Sequence, residues 1–137
     1  MQGSTKYFTA LLAIMLFIMG CKNTNSPEVT ASKFILSMRQ LDFETAKSLS
    51  TKATWSLLNI MEANTQNITD EQKEAFGNNF KIKITGKESE NDTTVLVSYV
   101  TEPEFVIVPK LRLRSEVDQD GRTRWKVDIS SLDDIST

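Results

Sequence analysis

The sequence predicts an α+β domain, with N-terminal helices packed on a curved antiparallel sheet of three to four strands. Three observations predict it. Apolar residues recur at helical spacing from Pro27 to about Gly77. From Phe80 onward the apolar period switches to two. The two kinds of element are segregated along the chain, which places the helices on one face of one sheet.

The helices follow in order. Ser26-Pro27-Glu28 is a helix start, with Ser as N-cap, Pro at the first helical position and an acid in the first turn. Ala31, Phe34, Ile35, Met38 and Leu41 form its apolar stripe. Asp42 caps a second short helix that points Phe43, Ala46 and Leu49 inward. Ser50 or Thr51 caps a third, running to about Ala63, with Trp55, Leu57, Leu58, Ile60 and Met61 apolar. Asn64 to Asn67 is a loop, and Thr69-x-x-Gln72 reads as the capping box of a fourth helix. Gly77 is the expected left-handed stop.

The strands come next. Phe80, Ile82 and Ile84 alternate with Lys81 and Lys83, and Gly86 to Asp92 is expected as a turn or a short bulged extension. Thr93 to Thr101 is apolar on both sides, with Val95, Val97 and Tyr99 opposite Leu96 and Val100, so it is expected to be central. Pro103 and Pro109 bracket Phe105 to Val108, a short strand or edge segment. Leu111 and Leu113 alternate with Lys110, Arg112 and Arg114. Asp118-Gln119-Asp120-Gly121 is a hairpin turn. Trp125, Val127 and Ile129 then alternate with Arg124, Lys126 and Asp128.

Composition narrows the chemistry. The chain has 137 residues, 25% of them charged, and a formal net charge of −2, which suits one domain and argues against a nucleic-acid partner. Histidine is absent, which removes imidazole bases and His-ligated zinc. One cysteine excludes an intrachain disulfide and any CxxC metal or redox site. No dinucleotide fingerprint, P-loop, EF-hand or nucleophile elbow is present, and no cofactor or metal is expected.

That cysteine closes an apolar leader. Lys6 is followed by an apolar or small run from Tyr7 to Gly20, long enough for a secretory signal but short of the roughly 20 residues a membrane span needs. Ile18-Met19-Gly20-Cys21 resembles the lipobox of bacterial lipoproteins. In that pattern a small residue sits beside the cut, and the thiol carries diacylglycerol. The resemblance implies cleavage between Gly20 and Cys21 and acylation (palmitate included) of Cys21. The other reading is a free cysteine behind an uncleaved anchor. Each buried methylene contributes about 0.8 kcal/mol, so two or three chains would anchor the domain firmly. Lys22 at the next position, by resemblance to enterobacterial lipoproteins, implies the outer membrane. Asn23, Thr24 and Asn25 lack the acids of a surface-export signal, which favours the periplasmic face. The expected organisation is a signal peptide at 1–20, a lipidated cysteine and linker at 21–26, one α+β domain at 27–130 and a polar tail at 131–137.

The stretch from Pro27 to Leu49 resembles the start of the DUF4878 family, bacterial lipoproteins of unassigned function related to the NTF2-like (cystatin-like) fold. The matching features are Pro27, Ala31, Phe34, Ser37-Met38, Asp42-Phe43-Glu44 and Ala46-Lys47, with Trp125 to Ile129 resembling the closing strand. Leu41 stands where relatives often carry Gly or a polar residue, which implies a tighter turn. The resemblance implies a cone, a curved sheet wrapped by helices and often holding a pocket. It assigns no catalytic or ligand residues, and that fold hosts enzymes, carriers and inert binding modules alike.

Three constellations are candidates for function. Lys81, Lys83, Lys110, Arg112, Arg114, Arg122, Arg124 and Lys126 share parity within their strands, a candidate face for an anionic partner such as lipid headgroups, glycan or an acidic envelope protein. The plainer reading is a solvated outer face that blocks edge aggregation. Phe34, Trp55, Phe80, Tyr99 and Trp125 are candidate lining for an apolar pocket, or simply core. Tyr99 with Asp42 or Asp128 is a conceivable acid–base pair, although Asp42 also reads as a helix cap and Asp128 shares the wet, basic face. The leading expectation is a non-enzymatic, lipid-anchored interaction module. The alternative is a carrier or enzyme using an internal cone.

Overall fold

A computed structural model describes residues 25–129. The expected leader, the Gly20–Cys21 cleavage and lipidation site and the tail at 131–137 lie outside the described residues. Among the described residues four helices precede four strands: α1 (Pro27–Arg39), α2 (Phe43–Ser48), α3 (Lys52–Ala63), α4 (Asp70–Phe76), β1 (Lys81–Asn91), β2 (Thr94–Glu102), β3 (Lys110–Val117) and β4 (Thr123–Val127). The strands form one antiparallel meander in the order β1-β2-β3-β4. The α+β class is therefore observed, with helices followed by a four-stranded sheet.

Helix α1 is the keel of the domain. The Ser26 hydroxyl accepts the Val29 N–H at 3.2 Å, and Pro27 occupies the first turn. Its stripe of Ala31, Phe34, Ile35 and Met38 is buried against Val95, Val97, Leu111, Leu113 and Val127 on the inner face of the sheet. The helix touches all four strands. Burying a large aliphatic or aromatic side chain stabilises by about 1.5–3 kcal/mol, so this stripe dominates the hydrophobic term.

The exit from α1 is a Schellman turn built on the wrong residue type. Asp42 N–H donates to Ser37 C=O at 2.8 Å and Leu41 N–H to Met38 C=O at 3.2 Å. Leu41 sits at the left-handed position with φ 55°, where glycine is normal. Asp42 then caps α2, its carboxylate accepting the Thr45 N–H and hydroxyl at 3.2 and 2.6 Å. The capping box of Thr69 and Gln72 forms at α4.

The structure corrects several expectations. Gly77 is right-handed, at φ −84°, and Asn79 carries the positive φ two residues later. Of the five apolar residues of α3, only Leu58 is buried, and Trp55 and Ile60 face solvent. The helix lies at the margin of the core, where one row of contacts suffices. Of the two readings of the segment after Ile84, the bulged extension is the one observed: β1 continues to Asn91, with register shifts between Ile84 and Gly86 and between Ser89 and Asn91. Phe105 to Val108 is loop rather than strand. Its backbone is held by side chains: Thr101 Oγ1 accepts Phe105 N–H at 2.7 Å, and the Tyr99 hydroxyl donates to Val108 C=O at 2.7 Å.

The two sheet edges differ. Along β4, Asn25 donates to Thr123 C=O at 2.7 Å and accepts Trp125 N–H at 3.2 Å. Further along, Val127 N–H donates to Leu49 C=O and Thr51 N–H donates to Val127 C=O, both at 2.9 Å. That edge is covered. The outer edge of β1 has no strand partner among the described residues.

Candidate functional site

The face of the sheet opposite the helices is the candidate site. Register places side chains on it strand by strand. Lys83 lies opposite Val100, Lys110 opposite Ser98, Arg112 opposite Leu96, and Arg114 between Thr94 and Lys126. Lys81 and Arg124 share the same side, opposite Glu102 and Glu116. Seven of the eight cations anticipated on one face are thus brought together. Arg122 is not, because it sits in the β3–β4 turn, where its N–H donates to the Asp118 carboxylate at 3.0 Å.

Most of these cations are engaged. Lys110 pairs with Glu88 at 3.6 Å, Arg112 with Glu90 at 3.7 Å and Arg114 with Asp128 at 3.0 Å. Arg124 pairs with Asp118, whose carboxyl that guanidinium holds below its ordinary range. The like charges Arg114 and Lys126 stand directly opposite each other. Their repulsion is relieved by divergence, as Arg114 turns to Asp128 and Lys126 donates to Ser48 C=O at 2.6 Å. Lys81 and Lys83 form no ion pair with any described residue. The face is therefore a lattice of alternating charges, with free cations at the β1 end.

Asp128 departs from its expected place on a wet surface. It is only 6% exposed. One carboxylate oxygen accepts the Thr51 hydroxyl at 3.1 Å and the other meets Arg114. Thr54 lies beside it, its hydroxyl accepting Ile129 N–H at 2.9 Å and donating to Val127 C=O at 3.3 Å. Close by, Leu96, Val108, Pro109, Lys110, Arg112, Asp128 and Ile129 line an open concavity of about 250 Å³. Parity signalled Asp128's side of the sheet. Its burial depends on the start of α3 folding back over β4, which strand alternation does not encode.

The conceivable acid–base pair does not assemble. The Tyr99 hydroxyl donates to Val108 C=O and accepts Ile107 N–H at 3.2 Å, Asp42 caps α2, and Asp128 is held by Thr51 and Arg114. Each of the three groups has a structural partner instead. Among the described residues every buried side-chain nitrogen or oxygen is hydrogen-bonded, and no cluster of three or more acid or sulfur ligands is placed to hold a metal ion.

Of the five candidate pocket aromatics, Phe34 and Tyr99 are core, Phe80 and Trp125 pack against that core, and Trp55 lies apart. Phe34 is fully buried in the core. Trp55 is 39% exposed, and its indole N–H donates to Lys47 C=O at 2.9 Å. Trp125 lines a shallow groove with Pro27 and Lys87, whereas Tyr99 lines a different one with Phe105 and Val106. Phe80 packs edge-on against Phe105 at 6.0 Å. The Arg39 guanidinium lies 5.4–6.0 Å from the rings of Phe76, Phe80 and Phe105 and donates to Phe76 C=O at 2.9 Å. Sequence reading passed over this box because Arg39 and its aromatic partners are about 37 to 66 positions apart and come from a helix end, a strand start and a loop.

No helix among the described residues is long and apolar enough to cross a membrane. Comparison with protein-family models, with curated proteins and with solved structures finds no match to this chain.

Proposed function

We propose that this chain is a lipid-anchored lipoprotein of the bacterial cell envelope, whose DUF4878-like, NTF2-like domain is a non-enzymatic interaction module. The anchor is the acylated Cys21, the location the periplasmic side of the outer membrane, and the partner an anionic surface, such as an acidic envelope protein. The anchor and location rest on the leader and its Gly20-Cys21 junction. The order of helices followed by an antiparallel meander supports the NTF2-like reading.

One observation carries the binding role. Among the described residues no helix covers the outer face of the sheet, register gathers seven cations there, and Lys81 and Lys83 form no ion pair. The second reading, a carrier or enzyme with an apolar ligand in an internal cone, needs aromatics converging on one cavity. Phe34 and Tyr99 are instead part of the packed core, Phe80 and Trp125 pack against it, and Trp55 is exposed.

Two measurements test the proposal. Radiolabelled palmitate should enter the wild-type chain and not Cys21→Ser, and the variant should leave the membrane fraction. Native mass spectrometry should then be run on the full lipoprotein released gently from its host envelope. A protein partner other than a second copy of this chain, lost at high salt and in Lys81→Gln/Lys83→Gln, supports the binding face. A stoichiometric apolar small molecule overturns it in favour of the carrier.

A further inference from the structure

The free edge of β1 carries a charge order that fits its own copy. On its outer face Lys81 and Lys83 occupy the first half and Glu88 and Glu90 the second, while Lys87 lies on the helix side and pairs with Glu28. Edge charges of either sign guard against unwanted pairing; here their order also complements a second copy. Run antiparallel against itself about a point between Thr85 and Gly86, this strand sets Lys81 opposite Glu90 and Lys83 opposite Glu88. The register shift between Ile84 and Gly86 places Lys83 and Glu88 on the same side of the sheet, facing Val100 and Leu96. The lysines have no ion pair with any described residue, and the two glutamates hold theirs at 3.6 and 3.7 Å, so both halves have charge to offer.

Gly86 sits at that register shift. Its φ is not positive, and a Cβ there would meet only Ser98, at 3.8 Å or more. The single chain therefore has room for a side chain at a position where glycine weakens a strand. Glycine inside a strand marks a bulge, as the register shift here does, or the close approach of another backbone. The β4 edge is already covered by Asn25 and by Leu49 to Thr51, so pairing through β1 closes after two copies and does not run on as a filament.

We infer that this protein forms a two-fold homodimer by antiparallel pairing of β1 with β1 of a second copy, joining two four-stranded sheets into one of eight. The test is sedimentation velocity of the full-length chain in a density-matched mild detergent. Wild type should sediment as a reversible dimer. Lys81→Glu/Lys83→Glu and Glu88→Lys/Glu90→Lys should each weaken self-association by roughly tenfold or more, since four facing pairs turn repulsive. An equimolar mixture of the two should recover the dimer, because every facing pair is then opposite in sign. A monomeric wild type overturns the inference, as does a dimer indifferent to either reversal, or a mixture that stays monomeric. A second readout survives any folding defect in those variants. Oxidation of Lys83→Cys/Glu88→Cys should yield a covalent dimer, because the two positions lie about 16 Å apart along one strand and cannot bridge within a chain. A monomeric product there also overturns it.

Discussion

The Tyr99 hydroxyl and the Val108 backbone meet twice, the phenol donating to the carbonyl at 2.7 Å and accepting the N–H at 3.4 Å. This one side chain on β2 holds the loop that leads into β3. Tyr99→Phe keeps the buried ring and strands the loop's polar groups. It should cost about 1–3 kcal/mol, read from urea midpoints. Amide exchange should quicken at Ile107 and Val108 well before it does in β3. An unchanged midpoint and unchanged exchange would show that water serves the loop as well.

Thr54 binds α3 to β4. Its hydroxyl is fully buried and contacts Thr51 at 2.9 Å, Val127 C=O and Ile129 N–H. Thr54→Val preserves shape and removes three partners at once, so it should destabilise by about 2–3 kcal/mol. Thr54→Ser keeps the hydroxyl and should recover more than half of that loss. A larger loss in Thr54→Ser than in Thr54→Val would point to the methyl group rather than the hydrogen bonds.

Leu41 pays a conformational cost at φ 55° that its half-buried side chain offsets by packing on the core. Leu41→Gly should therefore lie within about 1 kcal/mol of wild type. Leu41→Val should lose about 1–2 kcal/mol, because branching at Cβ worsens the strain while some apolar volume goes. Thermal melts of the pair check the order. A valine variant more stable than the glycine variant would contradict the turn geometry.

Glu28 and Lys87 join the start of α1 to β1 at 2.7 Å. The hydrogen bond from Lys87, opposed in part by burial, holds the Glu28 carboxyl below its ordinary 4.5. A lowered folded-state pKa means stability that is present above about 4.5 and lost as pH falls through the lower folded value. Both groups are substantially exposed, so the contribution is no more than about 0.5–1 kcal/mol. Lys87→Gln should flatten the stability profile of wild type between pH 5 and pH 3 by about that amount, measured in urea at each pH. Parallel profiles for the two proteins would remove the pair from the acid response.

Much of this domain was legible along the chain because its signals are local. The Ser26 and Asp42 caps, the Thr69–Gln72 box, the Gly121 turn at φ 77° and the alternation in β3 each depend on residues within four positions of one another. The shared parity of Lys110, Arg112 and Arg114 likewise announced a common face. What tertiary structure alone decided involves partners far apart in sequence. Asp128 is buried because α3 returns over β4, Arg39 is boxed because a helix end, a strand start and a loop converge, and Lys81 and Lys83 find no ion-pair partner among the described residues because β1 falls at the edge. Periodicity records which side of an element faces the core. It does not record which neighbour lies beyond, and burial, ion pairing and a free edge all depend on that neighbour.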